Sequence, residues 1–342
     1  MRALITSFNQ KLGLNPMVSR LLHAIPGFEP AGVHDCDVVF LSFIAPEQDF
    51  VPDKMTLDAI SRRKLPVIIF DHSETFKEPF ILGFSPVEPG GQYELVHSIL
   101  ARELNTKAYF KREMSPTPPS PFNLIFPVYP LDWTLNALSP AHVDTREEYN
   151  ARPIDIFYSW GYSNESRPRL MGELLRQAGR FCAHFCLTEE DLDVALKEGR
   201  ERIFALLFTP HFRRIHYSKI FEWQGKAKVS ISMFGAGKKC FRCAEASYNA
   251  VMAQQAPDEL QWSYPWVAGR NCIQLPTGRR LDKDSFWREE EEVAVAWLYS
   301  GLRETQGSLY DIYLKGMENN QRYHNATYAR DYLAPRIMEA LK

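Results

Sequence analysis

Short apolar runs separated by stretches of helical period dominate the first third of the chain. Arg2 to Ser7, Asp37 to Phe43 (Asp-Val-Val-Phe-Leu-Ser-Phe) and Pro66 to Phe70 (Pro-Val-Ile-Ile-Phe) read as strands without polar alternation. Thr56 to Lys64 and Gln92 to Leu104 read as helices, and Ala108 to Glu113 as a short strand or strand end. Strands that are apolar on both faces and alternate with helices predict a parallel sheet covered on both sides.

Prolines then crowd the tract from Met114 to Pro130, which excludes a regular helix or a central strand. With Leu131 to Arg152 this tract predicts a connector. A second alternation follows: strands over Ile154 to Trp160, Phe204 to Phe208 and Lys228 to Met233, with helices over Ser166 to Ala178, Glu189 to Glu201 and Ile215 to Trp223. After Met233 come a glycine turn and a helix carrying Arg242 and Glu245, which the pattern extends through Tyr248 to Gln255. Asn271 to Leu275 reads as the next strand, and Arg288 to Gln306 and Leu309 to Leu341 as helical with breaks. The predicted architecture is α/β: two doubly wound Rossmann-like domains facing a cleft. The divisions fall at 1–113, a connector 114–152, a second domain 153–325, and a terminal helix 326–342 that packs back on the first domain. Ligands of such sheets sit at the carboxyl ends of the strands.

A length of 342 residues suits two domains, and 45% hydrophobic with 24% charged residues is the balance of a soluble globular chain. A formal net charge of -2 argues against a generally cationic coat for nucleic acid. Local basic tracts at Lys111-Arg112, Arg213-Arg214 and Arg279-Arg280 keep a cationic cleft open as an alternative. No apolar run approaches the ~20 residues that span a bilayer. The opening Met1 to Phe8 is too short and too soon polar for a signal peptide, so the cytoplasm is the expected location. The cysteine spacings Cys182 to Cys186 and Cys240 to Cys243, with His184 or Cys272, would allow a zinc site. Cysteines in such helix-forming surroundings are more often small buried apolar residues, and that is how they are read.

The chemistry concentrates between Ser218 and Ala246. A strand, Gly235-x-Gly237 and then a helix leave backbone N–H groups and a helix dipole free for an anion. Lys238, Lys239 and Arg242 add fixed positive charge, and Arg242 and Glu245 share a helix face. A cation near phosphates and a carboxylate one turn on, to accept from ribose hydroxyls, outline a nucleotide-sugar site. The plainer alternative is a glycine turn followed by a surface ion pair worth ~0.3 kcal/mol. Asp71 and His72 follow the strand Val67 to Phe70, where a general base for an acceptor hydroxyl would stand. Glu74 competes for that role, Asp71 would alternatively orient the imidazole, and His211 stands nearer the donor. Tyr162 and Asn164 are donor contacts or a plain turn. Of the two Asp-x-Asp pairs, Asp35-Cys-Asp37 precedes a strand and Asp191-Leu-Asp193 lies in a helix, so neither matches a metal-chelating pair at a strand end. No metal is expected.

The run Ile154 to Leu175 resembles the strand, loop, arginine and helix that open the nucleotide-sugar half of exostosin-like and glycosyltransferase group 1-like enzymes of the GT-B type. Tyr217-Ser-Lys219, Lys228-Val-Ser-Ile-Ser, and Gly235-x-Gly with Arg242 and Glu245 resemble their donor-binding stretch. His324 to Arg330 resembles their terminal helix, and Tyr109 to Glu113 a tract that ends their first domain. The resemblance implies transfer of a sugar from a nucleoside-diphosphate donor such as a UDP-sugar to an acceptor hydroxyl. It implies that Gly235 and Gly237 admit the diphosphate, that Lys238 and Arg242 neutralise it, and that Glu245 accepts from the ribose. Gly161 and Arg167 would border the cleft. Such enzymes stabilise the leaving diphosphate with side-chain cations and a helix terminus, so no cofactor is implied beyond the donor itself. His72 or Asp71 is the base if the reaction inverts. The expected acceptor is a glycan. A hydroxymethylated pyrimidine in DNA is the alternative, and a non-catalytic nucleotide-binding protein is the alternative of another class. The sequence leaves the oligomeric state open.

Overall fold

A computed structural model describes residues 1–7, 14–43, 54–72, 104–112, 126–135, 142–161, 166–178, 184–209, 215–233, 241–255, 261–275 and 306–342. Strands β1 (Arg2–Ser7), β2 (Glu29–Pro30), β3 (Val38–Phe43), β4 (Pro66–Asp71), β5 (Asn105–Lys111) and β6 (Val128–Pro130) form one six-stranded sheet in the order β2-β1-β3-β4-β5-β6. Strands β7 (Ile154–Trp160), β8 (His184–Cys186), β9 (Ile203–Phe208), β10 (Ala227–Ser232), β11 (Val251–Gln255) and β12 (Ile273–Leu275) form a second, in the order β12-β11-β10-β7-β9-β8. Each neighbouring pair is parallel.

The lack of polar alternation is explained by cover on both faces of each sheet. In the first, Val38, Phe40, Ile68, Phe70 and Phe110 face α1 (Pro16–His23) through Val18, Leu21 and Leu22. Their alternates Val39, Leu41, Val67 and Ile69 face α2 (Lys54–Arg62) through Leu57 and Ile60. In the second, Ile156, Leu206, Val229 and Val251 meet Leu170 and Leu174 of α4 (Ser166–Ala178), the helix after the short α3 (Arg146–Asn150). The opposite face, with Phe157, Ala205 and Leu207, meets α5 (Glu189–Lys197) and α6 (Tyr217–Gly225) through Leu192, Ile220 and Trp223. α7 (Phe241–Ala246) lies against β10 and β11. α8 (Gln306–Gln321), α9 (Asn325–Tyr328), a π-helical turn (Ala329–Leu333) and α10 (Ala334–Ala340) complete the described chain. Among the described residues no helix is long and apolar enough to cross a membrane.

α1, β2 and α3 add to the expected elements, and two elements of the second sheet also depart from the sequence pattern. The helix expected to run through Gln255 stops at Ala246, the Tyr248 N–H closes a turn on the Glu245 carbonyl, and Val251–Gln255 is a strand. Met252, Ala253, Gln254 and Gln255 favour helices on their own, but that preference is worth only tenths of a kcal/mol each. A slot between β10 and β12, with Val251 and Ala253 buried on one face and Met252 on the other, overrides it. The second departure is β8, whose three residues are too few to carry a periodic signal. The helices expected over Gln92 to Leu104 and Arg288 to Gln306 lie almost wholly outside the described residues.

The proline-rich tract ends in β6, an edge strand paired only with β5, where proline is tolerated. The chain after it, residues 130–135, is stitched to the second half. Tyr332 Oη donates to the Pro130 carbonyl at 2.8 Å, Ser263 N to Asp132 Oδ2 at 2.7 Å, and Leu135 N to the Tyr323 carbonyl at 3.0 Å. Leu333 and Ile337 pack in the same apolar cluster as Ala3, Phe40 and Phe110 of the first sheet. Cys243, Ala246 and Met252 of the second half join that cluster as well.

Candidate functional site

The carboxyl end of the first sheet carries charge that its apolar strands do not need. Asp71 closes β4 opposite Lys111 of β5, and the two form a buried ion pair of 2.7 Å. Tyr109 Oη donates to the same carboxylate oxygen at 2.7 Å, and burial and that carboxylate push its phenol well above the usual range. His72 follows, 2% exposed. Neither of its ring nitrogens has a hydrogen-bond partner among the described residues. The imidazole instead rests on Trp133, ring centroids 5.2 Å apart, and the Arg112 guanidinium lies 5.0 Å from that indole. Burial first, and the Arg112 charge second, depress the His72 pKa to about 3, so the ring is neutral at ordinary pH.

Trp133 borders a small crevice of about 10 Å³ between the two halves, room for about one water molecule. Asp132 and Trp133 form one wall; Cys243 and Ala244 of α7, with Trp262, form the other. α7, the helix that follows the Gly235-x-Gly237 bend in sequence, therefore borders the space between the sheets. Glu245 in this helix is 2% exposed, so it is no surface carboxylate.

In the second sheet, strand order reverses between β7 and β10, and a doubly wound sheet opens a crevice at such a point. Arg167, in the first turn of α4, spans it. Its guanidinium donates to the Gly161 carbonyl after β7 at 3.0 Å and to the Met233 carbonyl after β10 at 3.4 Å. Gly161 also touches β9's exit: a Cβ there would stand 3.0 Å from the Thr209 carbonyl oxygen. Beside it, Trp160 and Phe208 pack with centroids 4.8 Å apart, and Phe208 is 50% exposed.

The structure thus brings Asp71 and His72 together with Lys111, Arg112 and Trp133 at one sheet edge, and Gly161 with Arg167 at the other. Gly235, Gly237 and Lys238 lie outside the described residues, as do Glu74, Tyr162, Asn164, His211 and the Arg242 side chain. Sequence reasoning placed Arg112 only in a basic tract and did not single out Trp133 or Phe208 as site residues. The signal for the first was a charged pair directly after an apolar strand; nothing in the sequence separated Trp133 from the other tryptophans. Cys36, Cys186, Cys243 and Cys272 are buried thiols. His142, Asp144 and Glu148 place ligand atoms within 4.8 Å of one another. They stand at the amino end of the second sheet, where Asp144 pairs with Arg152 at 2.9 Å and Glu148 closes the α3 capping box with Thr145.

No protein-family model matches the chain, and no curated protein sequence matches it. Solved structures do. The α,α-trehalose 6-phosphate synthase from Burkholderia multivorans superposes over 89% of this chain and 71% of its own with a TM-score of 0.51 at 8% identity. T4 phage BGT in complex with its UDP-glucose substrate covers 97% of this chain at a TM-score of 0.39 and 12% identity, over 100% of its own length. The glycosyltransferase SnogD from Streptomyces nogalater covers 98% at 0.41 and 12% identity, again over 100% of its own. The likeness to the synthase, with two parallel six-stranded sheets, makes the fold GT-B.

Proposed function

We propose that this protein is a glycosyltransferase that moves a sugar from a nucleoside-diphosphate donor, such as a UDP-sugar, to an acceptor hydroxyl. Fold alone does not establish chemistry. The observation that carries the reading is His72: a neutral, buried imidazole at a strand's carboxyl end, with both nitrogens unmet among the described residues. A neutral imidazole keeps one unprotonated nitrogen, the atom on which an acceptor hydroxyl's proton would be received. Asp71 is the weaker candidate, because Lys111 and Tyr109 already engage its carboxylate.

In the proposed reaction the acceptor oxygen attacks the anomeric carbon, its proton passes to His72, and the bond to the diphosphate breaks with its electron pair. The departing charge is met by Lys238, Arg242 and the N-terminal end of α7, with Gly235 and Gly237 allowing close approach and Glu245 accepting from the ribose. Gly161 and Arg167 complete the donor edge. Preorganised cations of this kind are usually the largest contribution to such a step, and on this reading the reaction needs no metal. A free-enzyme pKa of about 3 makes His72 a weak base. Burial is the larger cause of that depression, so solvation by the acceptor hydroxyl raises the pKa, and the charge of a diphosphate nearby adds to the rise. With a net charge of -2 the molecule offers a duplex no general cationic surface, so a glycan hydroxyl is the proposed acceptor.

The test is incubation with a panel of nucleotide sugars, reading slow donor hydrolysis and transfer to glycans or to hydroxymethylated DNA. His72→Asn should lower turnover at least about 100-fold with little change in donor affinity, whereas Arg167→Ala should weaken donor binding. Every donor surviving intact, despite measurable nucleotide binding, would replace the enzyme reading with a non-catalytic one.

A further inference from the structure

We infer that Phe208 and Trp160 form the shelf on which the base of the donor nucleotide stacks. This rests on the reading of the second sheet's carboxyl edge as the nucleotide site, and it names the part of the ligand that edge holds. Phe208 is 50% exposed at the end of β9, so a large aromatic ring stands open at the sheet's carboxyl edge. Trp160 backs it at 4.8 Å and 57°, which fixes the ring without covering its outer face. The Trp160 indole N–H is buried, and no described residue accepts from it.

The positions also fit the ligand's length. β9, β7 and β10 are successive neighbours, and strands lie about 4.8 Å apart, so the exits from Phe208 to Met233 span about 10 Å. The aromatic shelf stands on one flank of this span and the Arg167 guanidinium, between Gly161 and Met233, on the other. A nucleoside diphosphate has the same order, a flat ring, a ribose, then negative charge, so this placement sets the ribose at Gly161 and not at Glu245 of α7. Gly161 sits at the middle of the span, where any side chain would press on the Thr209 carbonyl.

Isothermal titration of the full chain with UDP, GDP and inorganic pyrophosphate tests this. Stacking on an aromatic side chain is lost on truncation. Phe208→Ala and the bulkier Phe208→Leu should both weaken UDP and GDP about tenfold or more and leave pyrophosphate unchanged. Phe208→Trp should restore nucleotide affinity. Because Phe208 is half-exposed, Phe208→Leu should melt close to the wild type. Equal UDP affinity in wild type and Phe208→Leu would overturn the shelf while leaving the donor site standing. A wild type that binds none of the three probes would sink both.

Discussion

His72 stores its consequence in the pH dependence of stability. In the fold the ring takes up a proton only near pH 3, whereas an unfolded histidine does so near 6.5. Between those values the unfolded state holds more protons, so stability rises with pH across the window. It falls, by about 1.4 kcal/mol per pH unit, as the solution is acidified from 6.5 toward 3. Urea midpoints measured from pH 4 to 7 should show this slope in the wild type and a shallower one in His72→Gln; parallel curves would contradict the burial of an unprotonated ring. Gly316 is a second single-residue test. A helix-interior glycine replaced by alanine ordinarily gains about 1 kcal/mol. Here the added Cβ would lie 2.9 Å from the backbone oxygen of Asn271, which has nowhere to go cheaply. Gly316→Ala should therefore destabilise, by about 1–2 kcal/mol. A rise in melting temperature would show that α8 has room to shift.

Among the elements, the join between α3, the second sheet and α8 depends on one cation. Arg152 donates to Asp144 at 2.9 Å, to the Ala227 carbonyl at 2.6 Å, to the Asn249 carbonyl at 2.5 Å and to Tyr313 Oη at 3.2 Å. The Tyr149 and Tyr313 rings flank its guanidinium at 5.0 and 4.8 Å. Removing it leaves the Ala227 and Asn249 carbonyls and the Asp144 carboxylate without this donor. Arg152→Met should cost about 3 kcal/mol, read as a lowered urea midpoint. Elements of this scale were the most legible from the chain. The strands from Val38, Pro66, Ile154 and Ala227, and α4 from Ser166, follow from apolar runs and turn signals alone. What escaped was decided by distant partners: β11 by its slot between two strands, β8 by its neighbour β9, and the place of Trp133 against His72 by the fold of the connector. The place of Asp71 and His72 at a strand's end was legible because the apolar run Val67 to Phe70 marks that strand. The Asp71–Lys111 pairing was not, since it depends on the register of two strands forty residues apart.

For the whole molecule, the shared cluster joining the first sheet, α7, Met252 and the terminal helices predicts cooperative unfolding. Calorimetry should give a single transition, and two resolved peaks would mean that the halves melt independently. The hydrogen bond from Tyr332 to the Pro130 carbonyl, and the seating of Leu333 and Ile337 on the first sheet, have a further consequence in time. A ribosome delivers the first sheet's strands long before it delivers the helix that closes over Phe40 and Phe110. During that interval only α1 covers that face, and the part later taken by Leu333 and Ile337 stays open.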